Sequence, residues 1–326
     1  MFSIPPRRAG IATLAIVAIA SLSGCSALSG GSVASSSAPT GELREVKTIT
    51  YVNPAPFYPA FDDVGQCFAD AAKENGWKPV EVGTSGGSVD NQGAIDLISQ
   101  AIANGTDALV VFPTIPELFT PVIQQARDAG IYVVAQNAGA PSTGQQTQVG
   151  TDAKELGALI AEGLGATDPA AQVGILSGTA STTPHVQEIE GFTEYAAEHF
   201  PEMKVVASDY TNGDSTKGPE VFSNMLTANP GITVLFPIEG TSVAAAIAAV
   251  NERGATGTIK VVANDLTDDH RAAIENGTLL GVGEQGWCES GTKAVEAVKQ
   301  LSEGETLPDF IPTTSTWYDL SNLPKK

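Results

Sequence analysis

The hydrophobic pattern of residues 48–136 alternates between two kinds of segment. Short apolar runs, such as 108–112 (ALVVF), are followed by longer stretches with apolar residues at helical spacing that end at glycine or Asn-Gly. Continuous apolar strands that alternate with helices are typical of a parallel sheet covered on both faces. The pattern predicts strands at 48–53, 78–82, 108–112 and 131–136 and helices at 61–75, 90–104 and 117–129.

The same alternation returns after residue 153, so the two halves of the chain read as copies of one architecture. They meet near 149–152 (VGTD), where a strand pattern gives way to a capped helix start. We therefore predict an α/β fold of two doubly wound parallel sheets, with a ligand cleft where the carboxyl ends of their strands face each other. The second half predicts strands at 173–176, 204–207, 234–236, 260–264 and 279–282 and helices at 154–163, 186–199, 220–228, 242–253, 268–276 and 292–301.

The first 25 residues have the pattern of a secretory signal. Arg7 and Arg8 precede an apolar run at 11–20, which is too short to span a bilayer comfortably. The ending Leu-Ser-Gly-Cys resembles the lipobox of bacterial lipoproteins, which implies that Cys25 is lipidated; the alternative is an ordinary signal peptide with a chance cysteine. Residues 26–46 are rich in serine, glycine and alanine and predict a flexible linker. The protein is thus expected outside the cytoplasm, anchored to the cell membrane, as a periplasmic or outer-face protein.

Charge and composition narrow the classes of partner. The formal net charge is −20, which disfavours nucleic acid and anionic lipid as partners. About 300 residues follow Cys25, which is enough for two domains. After the signal, no apolar run approaches the length of a membrane span. Cys67 and Cys288 either form a disulfide in this oxidising compartment or lie buried as separate thiols.

The sequence lacks two motifs that are common in enzymes. There is no Walker A and no C-x-x-C, and the three histidines lack the spacing of metal ligands. A glycine-rich segment at 83–87 follows a strand but lacks the lysine of a phosphate loop and predicts a plain turn. We therefore expect neither an enzyme nor a cofactor or metal site.

Four stretches together resemble type I periplasmic binding proteins of the ribose-binding group, the solute receptors of ABC importers. The resemblance covers about residues 47–320 and implies two lobes joined by three crossover strands near 148–151, 282–286 and 312–315. It implies lobe 1 at 47–149 plus 286–311 and lobe 2 at 150–285 plus 312–326. Cys67 and Cys288 then fall in one lobe, which makes a disulfide plausible and leaves free buried thiols open. The four stretches are 54–58 (PAPFY), 149–152 with 156–157, 191–192 (GF) and 261–265 (VVAND).

The resemblance also implies the ligand-binding residues, several of them with a structural alternative. Aromatic residues after the first strand stack on a sugar ring in this family, although they could simply pack locally. Asp265 matches a hydroxyl-binding aspartate or caps a helix, Asn137 replaces a family aspartate or forms an Asx turn, and His185 either binds, caps a helix or faces solvent. The expected set is Phe57, Tyr58, Asn137, His185, Gln187, Glu239, Asp265 and Gln285.

The departures from the family pattern restrict the ligand. Two cleft arginines common in ribose-type receptors are missing, because Ala138 occupies one position and Val186 or Gln187 the other. A phosphate or carboxylate ligand would need such a bidentate partner, so a neutral polyhydroxy ligand, or one with a positive charge, fits better.

The resemblance therefore implies a monomeric substrate-binding lipoprotein. It would capture a neutral sugar or polyol by hinge closure and deliver it to the permease and ATPase subunits of an ABC importer. The alternative is a sensory receptor of the same fold that presents a furanosyl-type signal to a membrane partner. A third class is an extracytoplasmic hydrolase, which turnover of a bound sugar would indicate.

Overall fold

The structure is a computed structural model that describes residues 45–87, 89–212 and 214–325. The predicted signal peptide, Cys25 and the linker up to residue 44 lie outside the described residues. Within those ranges, no helix combines the length and the apolar character that a membrane span requires.

The strands are β1 (Thr48–Asn53), β2 (Lys78–Gly83), β3 (Ala108–Val111), β4 (Tyr132–Gln136), β5 (Thr147–Gly150), β6 (Gln172–Ser177), β7 (Lys204–Tyr210), β8 (Val234–Pro237), β9 (Lys260–Asn264), β10 (Gly281–Glu284), β11 (Phe310–Pro312) and β12 (Thr316–Asp319). The helices are α1 (Pro59–Glu74), α2 (Asn91–Ala103), α3 (Pro116–Asp128), α4 (Ala153–Gly165), α5 (Thr183–His199), α6 (Gly218–Ala228), α7 (Val243–Glu252), α8 (Asp268–Glu275) and α9 (Trp287–Ser302).

The strands form two six-stranded sheets with matching order. The first sheet runs β11-β5-β4-β3-β1-β2 and the second β12-β10-β9-β8-β6-β7. Every pair is parallel except β10 with β12. The prediction of two doubly wound parallel sheets is confirmed, and we call the parts of the chain built on them the first and the second lobe.

The apolar runs became strands because both faces of each sheet are covered. All residues of β3 and β4 are buried. On one face of the first sheet, α1 and α9 pack Phe68 and Val298 against Tyr51, and on the other face α2 and α3 bury Ile98 and Ile123. A parallel strand buried on both faces keeps an apolar side chain at every position, which explains why the sequence pattern showed no alternation.

Three chain segments connect the lobes and are bonded to one another. They follow β5, β10 and β11, so each leaves one sheet at its edge region and enters the other lobe. The hydroxyls of Thr151 and Thr313 both donate to the carbonyl of Gln285, at 2.9 Å each. These bonds join the three connections into a single hinge.

The last helix of the first lobe begins earlier than the sequence predicted. The expected start at residue 292 is wrong, because α9 begins at Trp287. The residue before it is Gly286, with φ 68°, and no side chain caps the helix. A left-handed glycine replaces the usual Ser, Thr or Asp signal, so no local sequence pattern indicates a helix start here.

Cys67 and Cys288 form a disulfide in the structure. Cys67 lies in α1 and Cys288 is the second residue of α9. The bridge ties the first helix of the chain to the last one, across a sequence separation of 221 residues. It also holds the start of α9, where Trp287 lies.

Helices α4 and α5 of the second lobe cross so closely that adding one methyl group between them should destabilise the fold. A Cβ added at Gly191 would overlap the carbonyl of Lys154, and one at Gly157 would overlap the carbonyl of Glu188. Because the obstacle is backbone, α4 and α5 would have to separate. We expect Gly191→Ala to lower the free energy of unfolding by about 2–3 kcal/mol in chemical denaturation.

The control for this crossing is Gly231→Ala. The added Cβ there meets no atom within 4 Å, so we expect little change. Equal denaturation midpoints for the two variants would contradict the proposed tight crossing.

Candidate functional site

A cavity of about 340 Å³ lies between the two lobes, at the carboxyl ends of the strands of both sheets. This is the position at which open α/β sheets bind ligands, and the size falls within the usual range for small-molecule sites. The first lobe and the hinge contribute aromatic rings and amides, while the second lobe contributes most of the acidic groups. The polar and aromatic lining residues are Phe57, Tyr58, Phe61, Asn91, Phe112, Thr114, Asn137, Thr151, Thr179, Ser181, Thr182, His185, Glu188, Glu239, Thr241, Asn264, Asp265, Gln285 and Trp287.

Two lining residues occupy equivalent places in the two lobes. Asn137 follows β4 and Asp265 follows β9, and both have left-handed backbones, with φ 53° and 69°. Each backbone N–H donates to the next strand, Asn137 to Val149 and Asp265 to Gly283. Asparagine and aspartate tolerate this conformation best among residues other than glycine. The turn directs the backbone away from the sheet and keeps both side chains at the cleft.

Asp265 is the centre of a hydrogen-bond network that crosses the cleft. Its Oδ2 accepts from the Tyr58 hydroxyl at 2.6 Å. Its Oδ1 accepts from Gln285 Nε2 at 2.8 Å and from Trp287 Nε1 at 2.7 Å. Tyr58 belongs to the first lobe and Asp265 to the second, so this pair joins the lobes directly.

The network leaves Asp265 little capacity for further donors. A carboxylate oxygen accepts about two hydrogen bonds, so Oδ1 is filled and Oδ2 has room for one more. Asp265 is only 3% exposed, and this burial raises the pKa of its carboxyl although the three donors act to lower it. Its main effect in this conformation is to orient Tyr58, Gln285 and Trp287.

Glu188 is a second buried carboxyl in the cleft. Its Oε2 accepts from Asn264 Nδ2 at 3.1 Å, and the same amide nitrogen donates to the Ile238 carbonyl at 2.9 Å. Its Oε1 has no hydrogen-bond partner among the described residues, and neither has Asn264 Oδ1. Burial, together with the charge of Asp265, raises the pKa of Glu188 well above its usual value.

Asn137 offers the cleft a donor. Its Oδ1 accepts from the backbone N–H of Thr151 at 2.9 Å, which orients the amide. Its Nδ2 is buried without a partner among the described residues. Because an unpaired buried polar group costs free energy, this donor and the free acceptors of Glu188 and Asn264 indicate a polar ligand.

Glu239 and His185 complete the polar wall of the second lobe. Glu239 follows β8, and burial raises the pKa of its carboxyl. His185 Nδ1 lies 3.1 Å from the Ser177 hydroxyl. Burial of the His185 ring lowers its pKa to about 4, so the imidazole is neutral at pH 7.

Aromatic rings form the wall of the first lobe. Phe61 packs against Trp287 with ring centroids 4.9 Å apart, against Phe112 at 5.4 Å and against Tyr58 at 6.5 Å. Phe57 lies at the edge and is 37% exposed. Rings of this kind contact the C–H faces of sugars well.

The structure brings seven of the eight expected ligand-binding residues to the cleft. Gln187 is the exception, because it is exposed and does not line the cavity. On α5, the face with His185 and Glu188 points inward, and a residue one position before Glu188 is rotated away by about 100°. Gln187 as a cleft residue is therefore corrected to Glu188.

Sequence reasoning also missed Trp287 and Asn264. Asn264 precedes Asp265 and could have been found as the buried partner of a cleft acid. Trp287 was hidden because the predicted helix began five residues too late. A large aromatic immediately after the second connection was the available signal.

The geometry predicts an unusual titration for His185. We expect an NMR titration, assigned with His185→Gln, to give a midpoint near pH 4, because burial penalises the imidazolium. The pKa of the folded state then lies below the usual 6.5, so the unfolded chain binds more protons in this window. The stability that a neutral His185 contributes is complete above about pH 6.5 and is lost as the pH falls towards 4. A midpoint near 6.5 would show that water reaches the ring.

The described residues contain no group of three or more His, Cys, Asp or Glu side chains placed to hold a metal ion. The lining atoms offer hydrogen bonds and aromatic contact, which suit reversible binding of a small polar molecule.

Comparisons with known proteins agree with this geometry. A family model described as "Periplasmic binding protein domain" matches residues 49–306. A D-ribose/D-allose-binding protein of Pseudomonas aeruginosa is 29% identical over 229 residues, which are 67% of this chain and 70% of the relative. A glucose-galactose binding protein from Geobacillus stearothermophilus has the same fold, with a TM-score of 0.80 at 20% identity over 86% of this chain and all of that chain. So has an ABC transporter solute-binding protein from Burkholderia graminis in complex with D-arabinose, with a TM-score of 0.77 at 24% identity over 86% of this chain and 98% of that one. The chain therefore belongs to the periplasmic binding protein family, as a type I member, and is a binding protein and not an enzyme.

Proposed function

We propose that this protein is an extracytoplasmic substrate-binding lipoprotein that captures a sugar or polyol without negative charge for an ABC importer. The observation that carries the proposal is the cleft with its free polar atoms. Asn137 Nδ2, Glu188 Oε1 and Asn264 Oδ1 are buried and unpartnered among the described residues. A ligand with several hydroxyls both donates and accepts, so it can satisfy all three.

Binding is proposed to stabilise a closed arrangement of the two lobes. The Tyr58–Asp265 hydrogen bond already joins the lobes, and a ligand in the cleft adds contacts to both. A ligand shifts such an equilibrium only through contacts that the closed state alone provides. The hinge bonds from Thr151 and Thr313 to Gln285 lie beside the ligand-binding amide of Gln285, so hinge and site are connected.

The similar proteins support this ligand class. The Pseudomonas aeruginosa relative is named for ribose and allose, and the Burkholderia graminis structure contains D-arabinose. We propose lobe boundaries at 47–149 plus 286–311 and 150–285 plus 312–326, permease and ATPase partners, and a monomeric state. A thermal-shift screen of pentoses, hexoses and polyols tests the ligand class; a raised melting temperature with at least one supports the proposal, and no shift with any would refute it.

The membrane anchor is a separate element of the proposal. Cys25 follows Leu-Ser-Gly, and lipid on this residue would keep the receptor close to its permease and raise its effective concentration there. We expect Cys25→Ser to release the protein from the membrane fraction. Retention of the variant in that fraction would contradict lipidation at Cys25.

Acidic ligands are predicted to bind poorly. No lysine or arginine of the described residues lines the cavity, and three carboxyl groups do. A ligand carboxylate would therefore be desolvated without a cationic partner. We expect D-galacturonate to bind at least about 10-fold more weakly than D-galactose in calorimetry, where about 1.4 kcal/mol corresponds to tenfold. Tighter binding of the sugar acid would contradict this prediction.

A further inference from the structure

The cleft is lined by carboxyl groups without positively charged side chains among the described residues to balance them. Glu188, Glu239 and Asp265 line it, and no lysine or arginine from the described part of the chain does. His185, the remaining basic group in the lining, has its pKa lowered to about 4 by burial and is neutral at pH 7. The protein itself therefore supplies no positive charge to the cavity.

The three carboxyl groups differ in the number of hydrogen bonds that they accept from the protein. Asp265 receives three hydrogen bonds, from Tyr58, Gln285 and Trp287. Among the described residues, Glu188 receives one hydrogen bond, on Oε2, and its Oε1 has no partner there although the residue is only 3% exposed. No group of the described residues donates to the Glu239 carboxyl, and burial raises its pKa. Glu188 and Glu239 thus have more acceptor capacity left for a ligand than Asp265, whose Oδ2 has room for one further donor.

Glu188 and Glu239 lie on the same wall of the cavity. Asn264 Nδ2 donates both to Glu188 Oε2 and to the carbonyl of Ile238, which directly precedes Glu239. Glu239 Oε1 lies against Gly178, so closely that a Cβ at this position would overlap it. The two carboxyl groups therefore approach the cavity from neighbouring elements of the second lobe.

A buried carboxylate is compensated by a proton, a metal ion or an organic cation. The described residues hold no cluster suited to a metal ion. A proton neutralises each of these carboxyl groups when no cation is bound, as the raised pKa of Glu188 and of Glu239 indicates, and a bound cation would displace it. An ammonium group brings three donors and a positive charge in one small volume, and charge-assisted hydrogen bonds of this kind are about twice as strong as neutral ones.

We propose that the ligand is a polyhydroxy compound that carries a protonated primary amine, such as an amino sugar or amino polyol, and that Glu188 and Glu239 hold its ammonium group. This inference rests on the proposed function, because it assumes that the cleft binds a sugar-like ligand. The aromatic wall and Asn137 then contact the rest of the carbon skeleton and its hydroxyls, as described above.

Calorimetry at pH 7 with matched pairs tests the inference. The pairs are D-glucosamine with D-glucose, D-galactosamine with D-galactose, and 1-amino-1-deoxysorbitol with sorbitol. We expect the amine of at least one pair to bind about 10-fold more tightly or better than its hydroxyl counterpart, from the strength of hydrogen bonds to charged groups. The N-acetyl form of that amine, which lacks the charge, should lose the advantage.

Two variants and a control test whether Glu188 and Glu239 cause the preference for the amine. Glu188→Gln should reduce the affinity ratio of amine to hydroxyl ligand by about 10-fold. Glu190→Gln removes the same charge from the exposed face of α5 and should leave the ratio unchanged. If thermal melts show that Glu188→Gln does not fold, Glu239→Gln provides the same comparison.

The outcomes separate this inference from the proposed function. Neutral sugars that bind as tightly as their amines, or a ratio unaffected by both variants, would overturn the inference and leave sugar binding intact. Absence of binding by every sugar and polyol tested, with or without an amine, would overturn both.

Discussion

Replacing Asp265 with alanine is expected to weaken ligand binding by about 100-fold or more, equivalent to roughly 3 kcal/mol. The substitution removes the acceptor of the Tyr58 hydroxyl, of Gln285 Nε2 and of Trp287 Nε1. It also removes the remaining acceptor site on Oδ2. The ligand therefore loses a direct partner and three oriented neighbours at once. Calorimetry of the variant with the best ligand from the screen measures the effect.

The control for this prediction is Asp269→Ala. Asp269 is an exposed acid of α8, four residues further along the chain. We expect its affinity for the ligand to equal that of the wild type. Asp265→Ala with unchanged affinity and a normal melting profile would remove Asp265 from the site and would leave the cross-cleft network without a role in binding.

Removing the disulfide is expected to cost about 5 kcal/mol of stability, because the bridge closes a loop defined by a separation of 221 residues. This value comes from the loss of chain entropy in the unfolded state and is set by sequence separation. The double variant Cys67→Ser, Cys288→Ser keeps both side-chain volumes nearly constant. Its chemical denaturation against the wild type under non-reducing conditions measures the difference.

The bridge is also expected to affect the cleft. Cys288 follows Trp287, whose indole donates to Asp265, and the glycine before Trp287 has a left-handed backbone. We expect the double variant to bind ligand more weakly even at temperatures where it remains folded. Peptide mapping that finds alkylated Cys67 and Cys288 in wild-type protein without reductant would contradict the bridge itself.

Most of the fold could be predicted because each buried parallel strand appears in the sequence as a continuous apolar run. Strands such as β3 and β9 carry apolar residues at nearly every position, and glycine or Asn-Gly ends several of the helices between them. The start of α9 could not be predicted in this way. It depends on the backbone angle of Gly286 and on the indole of Trp287 held by Asp265, and neither appears in a local pattern.

The site was predictable only where topology decides it. Residues that directly follow strands, such as Asn137, Glu239 and Asp265, had to lie at the carboxyl edge of a sheet. Which residue of α5 faces the cleft depends on the rotation of the helix about its axis, so the sequence predicts Gln187 at the cleft, where the structure has Glu188. That Asp265 is already bonded to three protein donors follows from side-chain geometry across two lobes, which one sequence does not reveal.

The proposed function requires that the cleft between the lobes bind one small polyhydroxy molecule without negative charge. The most direct measurement is a calorimetric titration of the purified protein with the pentoses, hexoses, polyols and amino sugars named above, each against its acidic counterpart. We predict saturable heat with one site per chain for at least one uncharged or amine-bearing compound, and weaker binding of its acid. Saturable binding of sugar acids or sugar phosphates alone would contradict the proposed function.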